Sequence, residues 1–202
     1  MALLESTLLA HGIAHIAGVD EAGRGPCAGP LVVAAVILEN PLDSLWKGIK
    51  DSKKLTESRR EELFELIMKY ALAFAIIEIP AAEIDEVGLH RSNLEGMRRA
   101  VQALSIRPEY VLSDGYAITG LDIPTLAVWK GDQVALTVGA ASILAKVYRD
   151  RMMLELDLLY PEYGFKSHKG YITVQHSRNL IEFGPCDIHR RSFSNIASLL
   201  PR

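Results

Sequence analysis

The stretch Ile16-Ala17-Gly18-Val19-Asp20-Glu21-Ala22-Gly23-Arg24-Gly25-Pro26 decides the fold. A short apolar run over 16–20 reads as a strand, ends on two adjacent acids and passes directly into a glycine turn. A second run over 31–38, rich in Val and Ile, follows and reads as another strand. A strand in that place, with Gly29 one residue late for G-x-G-x-x-G spacing, excludes a dinucleotide-binding turn. What is left is a loop with two glycines whose backbone amides can approach a ligand closely. Successive strand residues face opposite sides, so Asp20 and Glu21 serve one site only at a strand end or bulge.

Outward from this stretch, strands and helices alternate. Residues 74–79 read as a third strand, preceded by a helix that Thr56 or Ser58 caps, with Ser58 and Glu61 at capping-box spacing and an apolar stripe of Leu63, Leu66, Ile67 and Tyr70. A second helix is expected from Pro80 to about 104, with Leu94, Met97, Val101 and Leu104 on one face. Strands follow at 110–112 and 125–129, then a long helix over about 134–159, stopping before Pro161. A short helix over 173–182 and one last short helix complete the chain. This order predicts α/β layers around one sheet in a single domain spanning 1–202. At 49% hydrophobic and 23% charged residues over 202 positions, the chain can bury a core without disulfides or a structural metal. Cys27 and Cys186 fit reduced, inert thiols.

Asp114 follows the 110–112 strand and Asp132 the 125–129 strand, each beside a glycine. With Asp20 and Glu21, that puts carboxylates at the carboxyl ends of three strands, where open α/β sheets place ligand sites. An all-oxygen set without Cys or His at metal spacing favours Mg²⁺ or Mn²⁺ over Zn²⁺. Ser142 and Lys146 miss the S-x-x-K spacing of an acyl-enzyme, so Gly139, Ala140, Ala141 and Ser142 read as helix packing. Arg149 and Asp150 read as an ion pair or cap. His168, His176 and His189 match no zinc pattern and read as surface residues. Tyr171, after Gly170 in a basic loop, offers a ring face for a sugar or base and a hydroxyl for a hydrogen bond.

The net charge of -3 argues against bulk electrostatic coating of nucleic acid. The distribution is uneven: residues 1–100 carry 15 acidic against 11 basic side chains, whereas 166–191 carry five basic against two acidic. Lys53, Lys54, Lys166, Lys169 and Arg190 are the expected phosphate contacts. The longest charge-free runs, 6–19 and 25–38, have 14 residues each, too short to span a membrane. With no basic n-region ahead of Arg24, a cytoplasmic location and no membrane partner are expected.

Taken together, the blocks Gly18-Val19-Asp20-Glu21-Ala22-Gly23-Arg24-Gly25, Asp51-Ser52-Lys53-Lys54-Leu55, Ser113-Asp114-Gly115, Lys130-Gly131-Asp132, Ala140-Ala141-Ser142-Ile143-Leu144-Ala145-Lys146-Val147, His168-Lys169-Gly170-Tyr171 and His189-Arg190-Arg191-Ser192-Phe193 resemble the type 2 ribonucleases H, in their bacterial ribonuclease HII form. The resemblance covers about 16–193. It implies an RNase H-like fold, a mixed five-stranded sheet flanked by helices, with a helical C-terminal extension over about 160–202. It implies that Asp20, Glu21, Asp114 and Asp132 hold two Mg²⁺ or Mn²⁺ ions. It also implies that Gly23-Arg24-Gly25 senses ribose, that Tyr171 reads the junction, and that Lys53, Lys54 and Lys169 contact substrate. The implied activity is two-metal hydrolysis of the RNA strand of RNA–DNA hybrids and incision 5′ of ribonucleotides embedded in duplex DNA, leaving 5′-phosphate and 3′-hydroxyl, in DNA replication and repair. A monomer is expected. Ribonuclease HIII, with an extra N-terminal domain, is disfavoured because only 15 residues precede the first strand. A catalytically silent nucleic-acid-binding protein of the same fold is the alternative from another class.

Overall fold

The computed structural model describes residues 4–49 and 55–200. After a first helix, α1 (Leu4–Ala10), come strands β1 (Ile16–Ala22) and β2 (Leu31–Ile37), helix α2 (Glu57–Tyr70), strand β3 (Ala73–Ile79) and helices α3 (Ala81–Val87) and α4 (Leu89–Gln102). Strands β4 (Tyr110–Asp114) and β5 (Thr125–Val128) lead to helices α5 (Gly131–Val134), α6 (Leu136–Leu159), α7 (Phe165–His168), α8 (Val174–Phe183) and α9 (Ser194–Ala197). The five strands form one sheet in the order β3-β2-β1-β4-β5. The β1–β2 and β2–β3 pairs are antiparallel, and β1–β4 and β4–β5 are parallel, so the sheet is mixed as the resemblance implies.

The Leu-Val-Val-Ala-Ala-Val-Ile run of β2 is buried throughout because helices cover both sheet faces. Leu31, Val33, Ala35 and Ile37 pack with Met97, Ala100 and Val101 of α4; Val32, Ala34 and Val36 pack with Ile143, Leu144 and Val147 of α6 and with α2. Gly18 sets how close α6 comes: a Cβ there would lie 2.0 Å from the Thr137 carbonyl carbon. The start of α6 is capped by Glu5 of α1, whose carboxylate accepts from the Thr137 amide at 2.9 Å and from its hydroxyl at 3.0 Å.

The structure corrects several expected boundaries. Gly88, at φ +87°, splits the expected 80–104 helix into α3 and α4. Ala135 is extended and separates α5 from α6, so the long helix starts at Leu136. Thr56, not Ser58, caps α2 by accepting from the Arg59 amide; Phe64 joins its buried stripe and Tyr70 is exposed. α1 and α7 were not anticipated. The C-terminal helices pack on the loop after β1: Cys27 and Ala28 share a core with Met153, Tyr163, Phe165, Leu180 and Ile196. Ala28 also bridges to His189.

Candidate active site

β1 continues two residues past Asp20, so the paired acids lie within its last residues rather than beyond it. They face opposite sides of the sheet. Asp20 turns to α6, where Ser142 bonds it; Glu21 turns to α4, where the Asn93 amide faces it. Both still border one cleft of about 490 Å³, because it opens over the strand ends. The parallel register pairs Val19 with Ser113, which sets Asp114 beside Asp20 in the same cleft. The Gly131 amide donates to Asp114 Oδ1 at 2.8 Å, and the Glu21 amide to Asp20 Oδ1 at 2.8 Å.

Crowding three acids at buried strand ends disfavours their charged forms. Burial pushes the Glu21 carboxyl up to about 7, against the pull of Arg24 and with a further push from Asp114. Asp20, 4% exposed, is held well above its ordinary value by burial, then by Glu21 and Asp114, with Ser142 opposing. Asp132 stands apart. It is 1% exposed in the first turn of α5, one residue past the amide that holds Asp114, and does not line the cleft. Among the described residues, no three His, Cys, Asp or Glu side chains stand close enough to enclose an ion.

The loop after β1 forms one wall. Gly23 adopts φ +94°, and a Cβ there would strike Arg149 Nε at 2.1 Å and the Pro30 oxygen at 2.8 Å. Arg24 lies over the Tyr116 ring at 4.5 Å, donates to the Tyr116 hydroxyl and pairs with Glu21 at 3.6 Å. Gly25 faces Tyr171, whose Cε1 would lie 3.3 Å from a Cβ at that position. Tyr171, 49% exposed, completes that wall.

Other expected residues fare differently. Lys169 donates to the Lys166 carbonyl at 2.7 Å and does not line the cleft. Lys53 and Lys54 lie outside the described residues. Arg190 is 0% exposed, so its expected phosphate contact is corrected: its guanidinium is spent on backbone carbonyls. Arg149 does not pair with Asp150, which takes Lys146 at 2.7 Å; Arg149 too is buried and bonds carbonyls. The histidines are not surface residues. His176 and His189 are buried with their Nε2 atoms 3.0 Å apart, and His176 Nδ1 lies 2.9 Å from the Tyr171 carbonyl oxygen. Burial pushes both below the ordinary value, His189 to about 4.

Asn93 was missed because nothing in an amphipathic helix pattern separates one buried amide from a polar surface residue. Ser142 and Lys146 also line the cleft. Their i, i+4 spacing was visible, but read as packing alone.

A sequence model of ribonuclease HII matches residues 17–196. The chain belongs to the ribonuclease HII family. A ribonuclease HII from Mycobacterium avium is 56% identical over 194 residues, which is 96% of this chain and 84% of that protein. The crystal structure of ribonuclease H2 from Pyrococcus horikoshii superposes with a TM-score of 0.79 at 29% identity, covering 91% of this chain and 96% of the other. Bst-RNase HIII, solved in complex with Mn²⁺, shares the fold at a TM-score of 0.69 and 20% identity, over 96% of this chain and 72% of that one. Membership in ribonuclease HII makes the chain a type 2 ribonuclease H, a metal-dependent nuclease acting on nucleic acid. Among the described residues, no helix is long and apolar enough to cross a membrane.

Proposed function

We propose that this chain hydrolyses the RNA strand of RNA–DNA hybrids and incises duplex DNA on the 5′ side of an embedded ribonucleotide, leaving a 5′-phosphate and a 3′-hydroxyl. One observation carries the reading: Asp20, Glu21 and Asp114 border the same cleft as Gly23, Arg24, Gly25 and Tyr171. Phosphodiester chemistry and ribose recognition therefore share one wall-to-wall space.

Asp20, Glu21, Asp114 and Asp132 would hold Mg²⁺ or Mn²⁺, two ions with substrate present. The donor chemistry fits: every ligand is a carboxylate oxygen, and Glu21 Oε2 is buried with no hydrogen-bond partner among the described residues. Bound divalent ions supply a polarised attacking water and charge stabilisation of the leaving 3′-oxygen. The chain's own residues do the rest. Ser142 and the Glu21 amide fix Asp20, the Gly131 amide fixes Asp114, and Arg24 restrains Glu21. The backbone at residues 23–25 reaches the 2′-hydroxyl, which distinguishes RNA from DNA, and Tyr171 lies against the neighbouring sugar. Lys53, Lys54 and Lys169 contact flanking phosphates.

The catalytic unit is a monomer of one domain, with 160–202 as its C-terminal extension, acting in the cytoplasm. Cleavage of an end-labelled hybrid with and without Mg²⁺, beside Asp114→Asn, tests the activity. Binding without cleavage at every Mg²⁺ and Mn²⁺ concentration would favour the silent binding protein instead.

A further inference from the structure

Two arginines, Arg149 in the cleft wall and Arg190 behind it, are buried without an ion-pair partner among the described residues. Arg149 is 1% exposed and Arg190 0%. Their guanidinium donors end on main-chain carbonyls. Arg190 reaches the Gly23 oxygen at 2.6 Å, the Arg24 oxygen at 3.0 Å and the Gly29 oxygen at 2.9 and 3.1 Å. Arg149 reaches Pro30 at 2.9 Å, Ala28 at 3.1 Å and Lys169 at 3.0 Å. A buried charge is costly unless its hydrogen bonds are satisfied, and the planar fork of arginine satisfies several acceptors at fixed angles.

The carbonyl and amide of one trans peptide point in opposite directions. Arg190 draws the Gly23 and Arg24 carbonyls inward, so the Arg24 and Gly25 amides face the other way, towards the cleft these residues line. Neither amide donates to an acceptor among the described residues. Arg149 ties the far end of the same loop to Lys169, two residues before Tyr171. From this we infer that Arg190 is a positioning residue for ribose discrimination: it holds the Arg24 and Gly25 amides towards the substrate, and Arg149 couples that loop to the Tyr171 segment. The inference rests on the reading of Gly23-Arg24-Gly25 as the ribose sensor.

The test compares binding of two duplexes, one with a single ribonucleotide and one all-DNA, by full-length Asp20→Asn protein with and without Arg190→Lys. A lysine ammonium cannot span three carbonyls in a fixed plane. The ratio of the two affinities should fall roughly three- to tenfold, about the worth of one hydrogen bond, while affinity for all-DNA duplex changes less than about twofold. A folded Arg190→Lys protein with an unchanged ratio overturns the inference, as does an equal loss on both duplexes. If Arg190→Lys does not fold, amide exchange in the parent protein decides. The Arg24 and Gly25 amides should exchange fast when free, and slow with the ribonucleotide duplex but not with all-DNA. Slow exchange in the free protein overturns the inference. If the parent prefers neither duplex, the ribose-sensor reading fails. The clamp is then decided by whether Arg190→Lys shifts the Arg24 and Gly25 amide resonances; unshifted resonances overturn it.

Discussion

The Gly131 amide donates to Asp114 Oδ1, so the last residue of β4 is oriented by the first residue of α5. That bond joins the end of β4 to the start of α5, 17 residues further along the chain. Asp132 is the next residue in the chain and is buried, though it does not line the cleft.

Removing one carboxylate charge should therefore harm chemistry more than folding. Asp20→Asn, Asp114→Asn and Asp132→Asn should each lose activity by more than the roughly 10- to 100-fold typical of groups one bond removed from a metal. For Asp20, metal-free melting should be unchanged or raised, because burial and the neighbouring acids already disfavour its charged form. Turnover in Mg²⁺ and thermal melts in a chelator check both halves; near-normal turnover removes that residue from the site.

The two loop glycines should separate. Gly23→Ala places a side chain at φ +94° and within 2.1 Å of Arg149, so it should destabilise by about 1–3 kcal/mol. Gly25→Ala meets only Tyr171, at 3.3 Å. It should change stability by less than about 0.5 kcal/mol yet reduce kcat/KM on a single-ribonucleotide substrate. Urea midpoints and steady-state rates distinguish them.

The buried histidines predict a pH dependence. His189 is held near 4, and His176 below its ordinary value, chiefly by burial, so folding favours their neutral forms. Their stability contribution is full above about 6.5 and is lost as pH falls from there towards 4. The stability gap between the parent protein and His189→Asn should be largest near neutrality and close towards pH 4. Taking the difference cancels the opposite trend of Glu21, whose raised carboxyl favours folding at lower pH. A gap that widens on acidification contradicts this account.

Much of the site was legible because its residues lie at strand ends next to glycines: Asp20, Glu21 and Asp114 reach the cleft through backbone geometry that local pattern encodes. The strands were legible for the same reason, as Val- and Ile-rich runs bounded by turns. Charge was a poorer guide. In sequence Arg190 looks like a surface cation and Arg149 like an ion-pair or cap residue, but carbonyls that hold them come from a loop far away in the chain: Gly23 lies 167 residues from Arg190. The three histidines hid for a similar reason, since their partners are backbone oxygens and one another across the extension. Gly88 and Ala135 broke expected helices because periodicity alone does not register one residue leaving helical geometry.

The most direct test maps the cleavage site on duplex DNA carrying one ribonucleotide, labelled at the 5′ end of that strand, in Mg²⁺. The expected result is a single product ending in a 3′-hydroxyl immediately 5′ of the ribonucleotide, none from all-DNA duplex, and a large rate loss in Tyr171→Ala. Cleavage confined to longer RNA stretches, with the lone ribonucleotide ignored, would contradict the single-ribose reading of the cleft.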